Sequence, residues 1–420
     1  VVDLIRGRRE TYVRLEVIPS KGKTDERRII AIERNQVKLE EQSAQSRVIE
    51  VKDSDGRPRK IGVIDIPAFY IDFAALRRGD EDYKSTTRDV RRLIDELEAE
   101  GVDGLVIDLR NNGGGSLQEA NDLTGLFIEY GPTVQIRSAQ RRVWRDGKRR
   151  RSAYYEGPIG VLINRLSASA SEIFAGAIQD YGRGLVVGNQ SFGKGTVQSL
   201  LDLPEGQLKV TESKFYRISG DSTQHRGVLP DITFPSLFNH EDIGESSLDH
   251  ALDWDQISPV RHRDYNLLGA LLPTLKSRHQ QRALADPDFL YLTDQVMMAE
   301  ETKNLATLPL SETARKAMRT AQADKALAIE NKRRQTKGQP LLDSLLVEDP
   351  SAVTEETSDE TQGPDANVAT GEPAADQPAA QAGEKDSEDE PDVLLLETGR
   401  ILADLMALTQ VSVATRSESR

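Results

Sequence analysis

The chain has 420 residues, 37% of them hydrophobic, no cysteine, and a formal net charge of −14. That length leaves room for two or three domains and at least one sizeable core, and the missing thiols exclude disulfides, thiolate metal sites and a cysteine nucleophile. Between Glu348 and Asp392 stand 15 acidic residues and one lysine, which carry the whole net charge, so the acidity says nothing about what the rest of the chain binds.

The opening residues Val1-Val2-Asp3-Leu4-Ile5 include neither an initiator Met nor a signal-like segment, and the chain reads as a fragment whose own N-terminus has been removed. No run of roughly 20 apolar residues encodes a membrane-spanning helix. Ser20-Lys21-Gly22-Lys23 spells S-x-x-K, but in a polar turn with no helix to align serine and lysine, so it reads as solvent-exposed.

From residue 60 the pattern alternates. Residues 60–66 predict a strand and 85–100 a helix with Val90, Leu93, Ile94 and Leu97 on one face. Residues 104–109 are a continuous apolar run, expected of a strand buried on both sides, and 117–128 predict a second helix. The basic run Arg141, Arg142, Arg145, Lys148, Arg149, Arg150 and Arg151 reads as a solvated hairpin about an Asp146-Gly147 turn before it reads as an anion-binding surface. Residues 159–163 and 185–187 repeat the buried-strand signature around a helix at 170–181, which together predict a layered α/β core.

Residues 196–218 alternate like strands, with Gly206 at a hairpin turn. Residues 236–346 read mostly helical, with breaks at Pro259, Pro273, Pro287 and Pro309. The acidic stretch 348–392 has no aromatic residue and is expected to be a disordered linker. After it, apolar residues at helical spacing from Val393 to Leu408 predict an amphipathic helix, spanning 393–413, that docks back on the body.

Chemistry concentrates in three places. Ser169 with Glu172 forms S-x-x-E before an apolar helix, a capping-box signature. The same serine stands between a buried strand and a helix mouth, where free N–H groups such as that of Ala170 could hold an oxyanion. Asn111-Asn112-Gly113-Gly114-Gly115-Ser116 follows another buried strand, and its glycines suit either a flexible turn or a backbone cradle for an oxyanion or phosphate. Lys194 lies between two glycines in a strand-like segment. All five histidines follow residue 220, so lysine is the economical base for a serine nucleophile there, provided burial lowers its pKa. Strand alternation would put Gln198 on the same face, where its amide could orient the amine. A competing pattern, G-x-x-x-x-G-K from Gly188 to Lys194, resembles a P-loop, but Gly195 replaces the magnesium-binding hydroxyl and a strand replaces the expected helix.

S-A-S-A-S-E over 167–172, F-G-K-G-T-V-Q over 192–198 and D-L-R-N-N-G-G-G over 108–115 together resemble the tail-specific (C-terminal processing) serine proteases, in their longer bacterial periplasmic form. The likeness is strong over 58–235, fair over 236–346 and absent from the acidic stretch. It implies a crotonase-like (ClpP/crotonase) α/β spiral protease core followed by a mostly helical C-terminal domain. Residues 1–19 would be the C-terminal remnant of a PDZ domain lacking its carboxylate-binding loop, 20–57 a connecting segment, 58–235 the core, and 236–347 the helical domain. By the same resemblance Ser169 is the nucleophile, Lys194 the base and Gln198 its positioning residue. The oxyanion hole falls to the N–H groups of Gly115, Gly114 and Ala170. Glu172 and Asp180 match acidic positions that support the site. Ser191 stands where the family often has Thr, keeping the hydroxyl. No cofactor or metal is implied. Substrates would be unfolded or loosely folded proteins with apolar C-termini in the bacterial periplasm, with an adaptor protein as a further partner and no nucleic acid. A catalytically silent binding module on the same fold, and nucleotide binding, are the alternatives.

Overall fold

The computed structural model describes residues 2–18, 27–35, 43–148, 152–238, 241–266, 268–305, 307–345 and 392–418. The S-x-x-K at 20–23, the arginines 149–151 and the acidic stretch as far as residue 391 lie outside them.

Helix α1 (Val2–Ile5) precedes an exposed antiparallel pair, β1 (Tyr12–Val17) with β2 (Arg28–Glu33). A six-stranded sheet then begins with β3 (Gln45–Lys52), antiparallel to β4 (Pro58–Asp65), so the sheet takes in a strand from the expected connecting segment. The short α2 (Phe73–Arg77) and α3 (Thr86–Ala99) lead to β5 (Gly104–Asp108), parallel to β4. Helix α4 (Leu117–Phe127) is followed by the hairpin β6 (Gly131–Ser138) and β7 (Val143–Lys148). Strand β8 (Ile159–Ile163), helix α5 (Ala170–Asp180) and β9 (Leu185–Gly188) form another parallel crossover. Strands β10 (Thr196–Asp202) and β11 (Gln207–Tyr216) join the hairpin in a four-stranded antiparallel sheet, ordered β10-β11-β6-β7. The two-residue β12 (Ile232–Thr233) closes the main sheet, ordered β12-β9-β8-β5-β4-β3.

The apolar runs are explained by burial on both faces. Ile64, Leu105, Ile107 and Val161 face α3, α4 and α5 in one cluster, while Ile61, Val63, Val106 and Leu162 belong to a second cluster on the other face. That second face is covered by α6 (Leu272–Ala283), α7 (Pro287–Lys303) and the last helix, α9 (Val393–Glu418); α8 (Glu312–Thr336) pairs with α7.

Three expectations change. The described residues of 236–271 are irregular apart from one 3-10 turn at Glu245–Ser247, because their backbone bonds outside itself. Ser222 N–H reaches Asp255 O at 3.1 Å, Ile257 N–H reaches Gly220 O at 2.9 Å and Val260 N–H reaches Ile218 O at 2.9 Å, so a helix would lose all three. Asp146-Gly147 is inside β7 rather than at the hairpin turn, since the Asp146 carboxylate takes the Asn121 side-chain N–H at 2.8 Å and the turn falls at 139–142. Finally, α9 is buried nearly all round from 395 to 407 instead of on one face. It is enclosed by the sheet, α6 and α7, and its charges are matched there. Glu397 meets His279 Nδ1 at 2.9 Å and Arg282 Nη2 at 2.8 Å, and Asp404 meets Arg278 Nη1 at 2.9 Å and the Ser54 N–H at 2.8 Å.

Candidate active site

Three loops at the ends of β5, β8 and β9 meet beside the start of α5. The β8 turn is stitched to both neighbours: Ser167 Oγ donates to Leu109 O at 2.8 Å, Ala168 N–H to Asn112 O at 3.0 Å, and Phe192 N–H to Ser167 O at 2.9 Å. This delivers Ser169 to the helix mouth with φ 57° and ψ −110°, a left-handed conformation that a serine holds only when its surroundings impose it. The expected capping box is used through its carboxylate. Glu172 N–H bonds the Ser169 carbonyl at 2.9 Å, and Glu172 Oε2 accepts the Ser169 N–H at 2.7 Å. The Ser169 hydroxyl makes no cap hydrogen bond.

Glu172 is a hub rather than a local cap. It is 1% exposed, and besides Ser169 it accepts from Lys194 N–H at 3.0 Å, Gly193 N–H at 2.7 Å and Ser191 Oγ at 2.6 Å. One carboxylate therefore ties the serine turn to the lysine loop. Burial pushes its pKa up to about 7, against the pull of those four donors. The Ser191 hydroxyl in turn accepts from Val228 N–H at 2.7 Å, a use for the hydroxyl at that position.

Lys194 lies in the loop before β10, not in the strand. It is partly buried, and its pKa is lowered by burial first and by Lys209 next, with Glu245 and Glu172 opposing. Among the described residues its ammonium forms no hydrogen bond or ion pair. Gln198 is exposed and its Nε2 bonds Thr211 Oγ1 at 3.4 Å, not Lys194. Simple alternation fails because the lysine precedes the strand and the β10–β11 register shifts between Val197 and Gln198.

The glycine loop packs directly on the serine. A Cβ on Gly114 (φ 105°) would stand 2.8 Å from Ser169 Cβ and 3.1 Å from the Ala170 nitrogen. A Cβ on Gly115 (φ 142°) would stand 2.2 Å from Phe69 O, so both positions require glycine. The Gly114 N–H is already committed to Asn112 Oδ1 at 2.8 Å. Those of Gly115 and Ala170 have no acceptor among the described residues, which leaves these two as the open donors beside Ser169. Asn112, 0% exposed, holds the loop: its Nδ2 donates to Ile66 O at 2.7 Å and its carbonyl accepts from Ala168 N–H and from Ser171 Oγ at 2.9 Å. Nothing in N-N-G-G-G distinguishes Asn112 from Asn111, and Gln224, which takes the Gly195 N–H at 2.9 Å, carries no sequence signal. Asp180 lies at the far end of α5, paired with Arg217 Nε at 3.1 Å, away from Ser169.

The P-loop pattern fails on geometry. Strand β10 follows it, and the N–H groups a phosphate would need at 193–195 are filled by Glu172 and Gln224.

Residues 60–234 match Peptidase family S41, and residues 238–407 match the C-terminal domain of tail specific protease (DUF3340). The chain belongs to the tail-specific, C-terminal processing protease family. It is 37% identical over 357 residues to the tail-specific protease of Haemophilus influenzae, covering 82% of this chain and 48% of that one. It is 39% identical over 175 residues to the carboxy-terminal-processing protease of Bartonella bacilliformis, covering 40% of each. The solved photosystem II D1 C-terminal processing protease aligns at 25% identity with a TM-score of 0.38, over 56% of this chain and 58% of that one. The chain thus spans about half the length, or less, of the curated relatives it matches.

Proposed function

We propose that this chain is a serine endopeptidase that cleaves unfolded or tail-exposed proteins, with Ser169 as nucleophile and Lys194 as base. The observation that carries the reading is the helix mouth itself. A serine in strained backbone, its hydroxyl free of cap bonds, sits beside the two open N–H groups of Gly115 and Ala170 and is tied through Glu172 to the loop of a lysine whose pKa burial lowers.

The chemistry follows from these groups. Neutral Lys194 takes the Ser169 hydroxyl proton as Oγ attacks the scissile carbonyl, and Gly115 and Ala170 N–H hold the oxyanion. Collapse breaks the C–N bond, Lys194 returns the proton to the leaving amine, and an ester to Ser169 remains. Lys194 then deprotonates a water that attacks the ester, releasing the new C-terminal carboxylate and restoring the serine. General-base action and the oxyanion donors each supply roughly 10²–10³-fold. Gln198 would join Lys194 only after leaving Thr211. Glu172 and Asp180 act structurally. Residues 1–19 are read as the end of a PDZ domain, and the location as the bacterial periplasm. No helix among the described residues is long and apolar enough to cross a membrane.

A silent binding module on the same fold is the second reading, favoured by the unengaged Lys194 ammonium and the outward Gln198. Cleavage of an unfolded polypeptide with an apolar C-terminus separates them. Cleavage by the parent that disappears in both Ser169→Ala and Lys194→Ala is the expected outcome. Cleavage unaffected by Ser169→Ala would sink the assignment, and binding without cleavage in all three would establish the second reading.

A further inference from the structure

From the ion-pair network at the start of α9 we infer that Asp392 is a positioning residue for the oxyanion loop, acting through Arg110; the inference rests on the peptidase reading above. Arg110 stands between the last residue of β5 and the glycine loop. Its Nε donates to both oxygens of Asp108, at 3.0 and 3.1 Å, and its Nη2 to Asp108 Oδ2 at 2.6 Å. The other side of the fork crosses to the last helix: Nη1 donates to Asp392 Oδ1 at 3.1 Å and Nη2 to Asp392 Oδ2. Asp392 simultaneously caps α9, taking the Leu395 N–H at 3.0 Å. The side chains of Arg110 and Asp392 are 21% and 26% exposed, enough burial to set this pair apart from a screened surface contact.

The loop that follows is short and braced step by step. Asn111 (φ 61°) exchanges two hydrogen bonds with Asn164, its N–H to Oδ1 at 2.9 Å and Asn164 Nδ2 to its own Oδ1 at 2.7 Å. Asn112 then fixes Gly114, and Ser116 N–H closes on Phe69 O at 2.8 Å. Every other brace comes from the same sheet end. The Arg110 fork alone among these brings in a residue 282 positions away, so the seating of α9 and the placement of Gly115 share one guanidinium. The surroundings demand it: Asp65 is in register with Asp108, Arg47 lies near both Asp65 and Asp392, and without the fork two adjacent carboxylates would repel across the strand ends.

The test uses the full chain carrying Asp392→Asn, which keeps an N-cap side chain but loses the charge, and Arg400→Ala, which removes the Arg400–Asp286 contact (2.9 Å) on the same helix without touching the loop. Asp392→Asn is expected to lower kcat on an unfolded polypeptide about tenfold with KM within about twofold. It is also expected to speed amide exchange at Asn112, Gly114 and Ser116 by about tenfold when measured in a Ser169→Ala background, while Arg400→Ala changes neither. Unchanged exchange in Asp392→Asn, or equal acceleration by Arg400→Ala, overturns the inference. Exchange needs no turnover, so an inactive parent would count against the peptidase reading alone and the exchange result would still decide this one.

Discussion

Glu172 and Lys194 hold opposite charges against the same burial, and each makes stability depend on pH in its own direction. The Glu172 pKa is raised to about 7, so its contribution is fully present below about pH 4.5 and is lost as pH rises through about 7. Glu172→Gln puts an amide N–H among converging donors, leaving buried groups unpaired at a cost of about 1–3 kcal/mol each. The variant is therefore expected to be less stable than the parent throughout, with the gap widest near pH 4.5 and narrower by pH 8, as denaturant titrations at several pH values would measure. Lys194 is lowered from 10.5, so its penalty applies below that value and grows as pH falls toward its folded pKa. Lys194→Met should raise Tm at pH 7 while removing activity; a lower Tm would show that the amine is stabilising where it stands. The Gly114 N–H belongs to the same scale: its bond to Asn112 turns a three-donor expectation into two open donors, Gly115 and Ala170.

At the scale of elements, the parallel strands were legible because burial on both faces leaves a short continuous run of apolar residues between turn signals. Helix α3 was legible from Val90, Leu93, Ile94 and Leu97 on one face, and the structure adds the caps of α3 and α4, Ser85 and Ser116, whose side chains accept the N–H groups of Arg88 and Glu119. What escaped was decided by distant partners. The segment 193–195 looks like strand, yet its three N–H groups turn inward, those of Gly193 and Lys194 to Glu172, 21 and 22 residues away, and that of Gly195 to Gln224, 29 residues away. Residues 253–260 lost their helix to the turn after β11, and Gln198 lost its expected face to a register shift. The residue types at the candidate site could be picked out from local motifs. Of the brackets that aim them, Ser191 was marked only by the family resemblance, and Asn112, Gln224 and Arg110 were not marked individually, because a buried hydrogen-bond partner leaves no periodicity.

On the scale of the whole molecule, the main sheet has one face closed by helices from the middle of the chain and the other closed largely by its last helix. Leu395, Ile401, Leu402, Leu405 and Met406 pack with Ile61, Val63, Val106 and Leu162, and Asp404 reaches Ser54 across 350 residues. Deleting residues 393–420 bares that face and strands Arg278 and Arg282. The truncated chain is expected to bind a dye specific for exposed apolar surface and to unfold without a single cooperative transition. A sharp transition with no dye binding would mean that α6 and α7 cover the face unaided.

The late position of α9 also governs the order in which the molecule can be completed. A growing chain has made Ser169, Lys194 and every residue of the glycine loop well before it makes the helix that closes the sheet and meets Arg110. Contacts of such long sequence separation are the slow ones in folding. For a protein read as cutting unfolded chains, the piece still being synthesised is itself an unfolded chain, and α9 delays the finished site until the sheet face it covers has been closed.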